Sequence, residues 1–278
     1  MRVKPICAVL LLSMVIMAGS ARGQGVAPPS TLVSIPTAGT LERGQYEMEV
    51  LMMTDGGILG RLGIGFTDRF ALGMSYGIQE FIGNGEPSLN RTVPEAQVKY
   101  RIYDESYNIP AIALGLDTQG RGKFQSYEVL VDSLTDETKM IERYEVKAIG
   151  IFLVASKNWQ VWGNFGSHFG ISKNVWEEDK EYDDDFNIFF GIDKDLSPEL
   201  SLYLEYNAAL DDNNYNDNQL LDLSRITIGR GKGFLNAGVR WFVTPSMMLE
   251  VDLNDIFINK EGDSYFSREL KLIYTELF

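Results

Sequence analysis

Apolar and polar residues alternate along most of the chain with the period of two that marks half-buried strands. In the first such stretch, Tyr46, Met48, Val50 and Met52 alternate with Glu47 and Glu49. In the next, Leu62, Ile64 and Phe66 alternate with Arg61 and glycines. The third sets Phe70, Leu72, Met74, Tyr76 and Ile78 against small or polar residues. The fourth sets Val98, Tyr100 and Ile102 against Gln97, Lys99 and Arg101, and the fifth runs from Pro110 to Asp117. The sixth, Arg143 to Ser156, is apolar in both phases after Lys147. The seventh sets Trp159, Val161, Phe165 and Phe169 against Gln160, Asn164 and His168. The eighth runs from Phe186 to Asp193 and the ninth, Leu200 to Ala208, turns Leu204 and Tyr206 away from Glu205. The tenth opposes Trp241 to Arg240, the eleventh opposes Leu249 and Val251 to Glu250 and Asp252, and the last opposes Leu270, Leu272, Tyr274 and Phe278 to Lys271 and Thr275.

The links between these stretches are sorted by length. Short ones ("TDR", "DESYN", "KN", "DLSPE", "TPS") follow the even-numbered strands, and long polar ones follow the odd-numbered strands after the first. Short turns at one end, long loops at the other and an even strand count are the outer-membrane pattern. The pattern predicts an all-β transmembrane antiparallel up-and-down barrel of about twelve strands over residues 44–278, with both termini periplasmic.

That reading assigns a role to each face. Tyr46, Phe66, Phe70, Tyr100, Trp159, Trp241 and Phe278 fall at the short-turn ends of the apolar faces. Tyr76, Tyr144, Phe169, Phe186 and Tyr206 fall toward the long loops. Two aromatic girdles around an aliphatic band are what a bilayer selects. The opposite face places Glu47, Glu49, Arg61, Lys99, Arg101, Glu205, Arg240, Glu250, Asp252 and Lys271 in the lumen. Many other inward positions are glycine or alanine, which leaves space. The favoured expectation is a narrow water-filled lumen passing a hydrophilic solute, and the alternative is a structural or assembly barrel whose lumen is plugged.

Composition agrees with export. Arg2 and Lys4 precede an apolar run from Ile6 to Met17, and Ala21-Arg22-Gly23 offers small residues for a signal peptidase, so residues 1–23 are read as a signal peptide cut after Gly23. Residues 24–43 are then expected to be a periplasmic N-terminal segment. The lone cysteine, Cys7, lies in the signal, so no disulfide or thiol chemistry is expected. Losing Arg2, Lys4 and Arg22 takes the formal net charge from −14 to −17. That argues against nucleic acid and anionic lipid as electrostatic partners.

The C-terminus, a final Phe278 with Tyr274, Leu272 and Leu270 upstream, resembles the signal read by the barrel-insertion machinery, although Glu276 stands where an apolar residue is usual. Three stretches, "PSTLVSIPTAGTLERGQYEME" (Pro29 to Glu49), "VKYRIYDESYNIPAIALGLD" (Val98 to Asp117) and "VASKNW" (Val154 to Trp159), resemble the YjbH-like group of outer-membrane barrels and its uncharacterised relatives. The resemblance implies outer-membrane location and, faintly, a role in exopolysaccharide export, with a saccharide as partner.

Catalytic and metal chemistry are weakly signalled. His168 is the only histidine, and Ser167 beside it points to the opposite face of the strand. The acidic stretches Glu177 to Asp185 and Asp211 to Asn218 read as solvated loops. "GRGKG" (Gly229 to Gly233) lacks the Ser or Thr of a phosphate loop. The sequence therefore predicts neither catalytic nor metal-binding residues, and no cofactor.

Overall fold

The computed structural model describes residues 29–132, 137–160, 163–177, 185–213, 232–259 and 264–278. Its strands, in chain order, are β1 (Gln45–Met52), β2 (Ile58–Thr67), β3 (Phe70–Gln79), β4 (Ser88–Leu89), β5 (Glu95–Tyr103), β6 (Ala111–Asp117), β7 (Arg121–Asp132), β8 (Glu137–Val146), β9 (Gly150–Gln160), β10 (Asn164–Lys173), β11 (Asn187–Ser197), β12 (Leu200–Asn207), β13 (Phe234–Thr244), β14 (Met247–Asn254) and β15 (Ser267–Leu277). Among the described residues, twelve strands close into an antiparallel barrel. β4 only extends the edge of β3, and β7 and β8 form a separate hairpin.

Closure is made by β15, which pairs with β1 from Gln45↔Leu277 to Met52↔Leu270, and by the β2–β3 ladder. The Phe278 N–H donates to Gly44 O at 3.0 Å, so the last residue is tied into the seam. Closure leaves β15 no free edge, so its last residues are held in the ladder. At the short-link end, β2–β3, β11–β12 and β13–β14 turn through two residues each. Each turn adjoins a register shift, at Gly65/Thr67, Asp195/Ser197 and Phe242/Thr244. The extra residue sharpens the local twist where the chain must reverse.

The alternation sorts the faces as read from sequence. Leu204 is 42% exposed and its neighbour Glu205 is 1% exposed. Met48, Val50, Leu62, Leu72, Leu114, Leu153, Val239, Val251 and Leu272 are likewise exposed on the outer face. Soluble monomers rarely expose so much apolar surface, and a closed barrel leaves no unpaired backbone to meet lipid. The protein is a bacterial outer-membrane β-barrel in contact with membrane lipid.

Two strand boundaries differ from the sequence reading. The stretch from Arg143 to Ser156 is not one strand. Its first part belongs to the β7–β8 hairpin, and the wall resumes at Gly150, whose φ of +79° takes the turn. Tyr144, on β8, is therefore 1% exposed within that hairpin rather than part of an outer aromatic ring. Nor does the wall turn at Lys157-Asn158. Both stay in the ladder, opposite Ser167 and Gly166, and Gly163 at φ +96° marks the reversal. The residues read as a signal peptide, and the loop residues 178–184 and 214–231, lie outside the described residues.

Candidate functional site: a plugged lumen

Of the segment expected in the periplasm, residues 30–41 lie inside the barrel. Ser30 to Thr37 doubles back on itself through a Thr31↔Pro36 bridge. Leu32 N–H donates to Ile35 O at 3.0 Å, and Thr37 N–H to Ser30 O at 3.2 Å. Leu32, Val33, Ile35 and Ala38 are almost wholly buried and pack on Ala111, Ala113, Phe152, Val154, Phe189 and Tyr203 of the inner wall. Two wall glycines make room. A Cβ on Gly191 would sit 2.4 Å from Leu32 Cδ1, and one on Gly238 would sit 3.0 Å from Val33 Cγ2. The inward glycines and alanines thus receive a loop of the chain itself, and the lumen is occupied where a narrow water-filled one was expected.

The wall's charges hold that loop by its backbone. The Glu205 carboxylate accepts the Ser34 N–H at 2.9 Å, the Ile35 N–H at 3.1 Å, the Asn236 side-chain amide at 2.7 Å and the Ser34 hydroxyl. Lys271 Nζ donates to Val33 O at 2.7 Å, and Lys99 Nζ to Ser30 O at 2.5 Å and Gly39 O at 3.2 Å. Thr40 and Arg43 bind Asp68 at the short-turn end, so the loop rises from the periplasmic rim. Its tip meets Glu205, two residues short of the outer end of β12.

The other residues read as lumen-lining also face inward, in different company. Arg240 Nε lies 2.5 Å from Glu250 Oε2, and Lys271 Nζ lies 2.6 Å from Glu250 and 2.9 Å from Asp252, a wall network that, among the described residues, reaches the loop only through Lys271. Arg61 lies 3.6 Å from Glu49. With Glu47 and Lys99, that pair lines a small cavity of about 90 Å³ beside the loop. Arg101 sits at the periplasmic rim, 3.0 Å from Asp104. On the outer surface Tyr46 stacks on Phe278 (5.9 Å), and Phe66 lies 6.2 Å from Phe70. Tyr100 and Trp241 are exposed near the same end, and Trp159 donates to Ser167 there. Tyr76, Phe169 and Tyr206 lie toward the outer end, where Tyr206 meets Phe257.

The outer mouth is crossed by the base of the β7–β8 hairpin. Arg143 makes a bidentate pair with Asp212, both contacts 2.7 Å, and Tyr144 Oη donates to Glu95 at 2.9 Å. Arg121 pairs with Glu269 and Lys123 with Glu80. Glu177 accepts the N–H groups of Tyr144 (2.9 Å) and Ala148 (2.6 Å). Burial holds the Glu177 carboxyl above its ordinary range. Between this hairpin, the loop tip and the ends of β13 to β15 lies a cavity of about 470 Å³.

No family model matches the chain, and no curated protein matches it. Among solved structures it is similar to the KdgM porin (TM-score 0.44, 10% identity, 84% of this chain and 99% of that one). It is also similar to the NanC porin (TM-score 0.38, 10% identity, 84% and 99%) and to OmpT, an outer membrane protein of Vibrio cholerae (TM-score 0.29, 9% identity, 88% and 99%). These likenesses carry no functional argument, and the fold stands on the strand pairing itself. None of them bears on the YjbH-like resemblance.

Sequence reasoning missed one constellation. His168 Nδ1 lies 2.8 Å from Ser156 Oγ and its Nε2 lies 2.6 Å from Asp193 Oδ1. Adjacent strands supply all three residues, and the signal was a period-two position on each. The order serine, histidine, carboxylate is that of an activated nucleophile. The surroundings are not. Ser156 is 0% exposed and its Oγ accepts the Ala38 N–H at 2.8 Å. The N–H groups of β9 and β10 face the wall ladders, not an oxyanion. The arrangement serves as a hydrogen-bonded support under the loop.

Proposed function

We propose that the protein is a gated outer-membrane channel for a hydrophilic solute, held shut by residues 30–41. One observation carries the reading: Lys99, Glu205 and Lys271 bind the loop only through its backbone or through Ser34. Water can replace backbone partners, so the wall's charges stay solvated when the loop leaves. A buried charge stripped of its partner would otherwise cost several kcal/mol.

The energies suit a loop that can detach. Burying Leu32, Val33 and Ile35 stabilises by about 5–9 kcal/mol. The charge-assisted bonds contribute on the order of 10–18 kcal/mol in all. Ordering roughly a dozen residues costs about 12–24 kcal/mol. The favourable and unfavourable contributions are of the same order.

A structural barrel with a permanent plug is the second reading, favoured by the buried Arg240–Glu250–Lys271–Asp252 network, which holds the loop through the Lys271–Val33 O bond. Exopolysaccharide export rests on the YjbH-like resemblance alone. Neither reading makes the protein an enzyme. Planar-bilayer recording of Val33→Cys/Gly238→Cys separates them. Conductance that appears on reduction and vanishes on oxidation supports the channel. Silence in both states, with conductance only in a variant lacking residues 30–41, establishes the permanent plug; silence in that variant as well means that the wall's own side chains close the lumen.

A further inference from the structure

The outer cavity, about 470 Å³, falls within the ~300–1,000 Å³ typical of ligand sites. Asn254, the last residue of β14, points into it on the inward phase of the strand and is 6% exposed. Among the described residues, neither its Oδ1 nor its Nδ2 has a hydrogen-bond partner. A buried amide with both ends unmet costs free energy in a folded barrel, so such groups call for an explanation. Arg121 lines the same cavity. Its Nη2 is committed to Glu269, and its Nη1 is buried without a partner. At the rim Tyr265 is 69% exposed, and the Arg268 guanidinium lies 5.7 Å from the ring centroids of both Tyr265 and Phe266.

These groups define a ligand by what they lack. Asn254 needs one donor for Oδ1 and one acceptor for Nδ2, side by side. Arg121 needs an acceptor, but its charge is already met by Glu269, and that of Lys123 by Glu80. A carboxylate would satisfy the donors while offering Oδ1 nothing, and it would lie close to Glu269. Vicinal hydroxyls supply a donor and an acceptor together without charge. The rim rings offer a flat apolar surface of the kind that covers a pyranose face.

We infer that this outer cavity binds a neutral saccharide unit, its vicinal hydroxyls on Asn254 and Arg121 and its ring face on Tyr265 and Phe266. The site needs no movement of the loop, so it can be tested apart from gating. The experiment is isothermal titration calorimetry on the full barrel in lipid nanodiscs, with the loop locked by oxidised Val33→Cys/Gly238→Cys. The probes are maltose, cellobiose and sodium glucuronate. The expected result is binding of a neutral disaccharide more tightly than about 10 mM. Glucuronate should bind more weakly, Asn254→Leu should lose about tenfold or more, and Tyr265→Ala should lose severalfold. Tyr265 is exposed, so its variant keeps the test valid if Asn254→Leu fails to fold. Absence of binding by both disaccharides, tighter binding of glucuronate, or unchanged affinity in Tyr265→Ala and in a folded Asn254→Leu would overturn the inference.

Discussion

Ser34 precedes Glu205 by 171 residues, yet its backbone N–H lies 2.9 Å from both oxygens of that carboxylate. The contact joins the tip of the N-terminal loop to the outer half of β12, and it makes one wall residue the principal latch. Glu205→Ala removes the acceptor for two N–H groups and a hydroxyl. The expected outcome is a barrel that inserts normally but opens at least about ten times more often, since losing even one of these charge-assisted bonds, worth about 1.5–3 kcal/mol, shifts an equilibrium by that much or more. Single-channel recording checks it, and a variant as silent as the parent would place the latch elsewhere.

The neighbouring residue tests the alternation itself. Leu204→Arg turns a charge toward lipid near mid-barrel and is expected to cost about 2–4 kcal/mol of folding stability. Glu205→Gln, facing inward and keeping an acceptor, is expected to cost much less. Urea unfolding in vesicles compares the two, and equal losses would mean that the faces of β12 are reversed.

At the seam, Phe278 stacks on Tyr46 and its N–H binds Gly44 O. Deleting Phe278 removes both contacts along with the residue the insertion machinery is proposed to read. The expected outcome is a sharp fall in heat-modifiable barrel in the outer membrane. Wild-type levels would show that closure tolerates a frayed end and that recognition lies further upstream.

The barrel was legible because its two faces obey different solvents, and a period of two records that at every residue. Leu204 beside Glu205, or Trp241 beside Arg240, carries the assignment without any long-range information. The loop in the lumen was not legible. "STLVSIPTAG" is short, aperiodic and mildly apolar, and nothing in it says that it packs against Gly191 or Gly238 rather than running free in the periplasm. The alternation groups the ten charges on one face and says nothing of their partners. Glu205 binds a backbone, whereas Glu250 is spoken for by Arg240 and Lys271. Sequence gives the phase of a side chain, and the partner depends on register across strands far apart in the chain. Ser156, His168 and Asp193 illustrate the same limit, since they meet only through the pairing of β9, β10 and β11.

That distinction changes what neutralising a charge would do. Glu250→Gln with Asp252→Asn strips the main carboxylate partners from Lys271 and from Arg240, which are 3% and 6% exposed. Uncompensated buried cations are costly, so the expected outcome is a loss of about 3–5 kcal/mol or a failure to fold rather than a clean shift in ion selectivity. Denaturant midpoints measure it, and a fully stable double variant would mean that water already reaches this network.

The sharpest test of the loop leaves its hydrogen bonds alone. Gly191 faces the lumen on β11, and any side chain there must enter the space held by Leu32 and Ile35, whose Cδ1 atoms would lie 2.4 and 2.8 Å from the new Cβ. Its backbone lies in a regular ladder opposite His168 and Glu205, so a β-branched residue suits the strand. Gly191→Val should therefore fold with unchanged wall pairing while the loop loses its seat. Overpacking of this kind costs about 1–3 kcal/mol, all of it set against the bound loop. The expected outcome is protease sensitivity of residues 30–41 added from the periplasmic side, together with persistent conductance. If the loop is released but no current flows, the lumen is closed by the wall's own charges and the protein is a structural barrel. If the loop stays protected, the wall yields to it, and the packing of Leu32 and Ile35 is stronger than their burial alone provides.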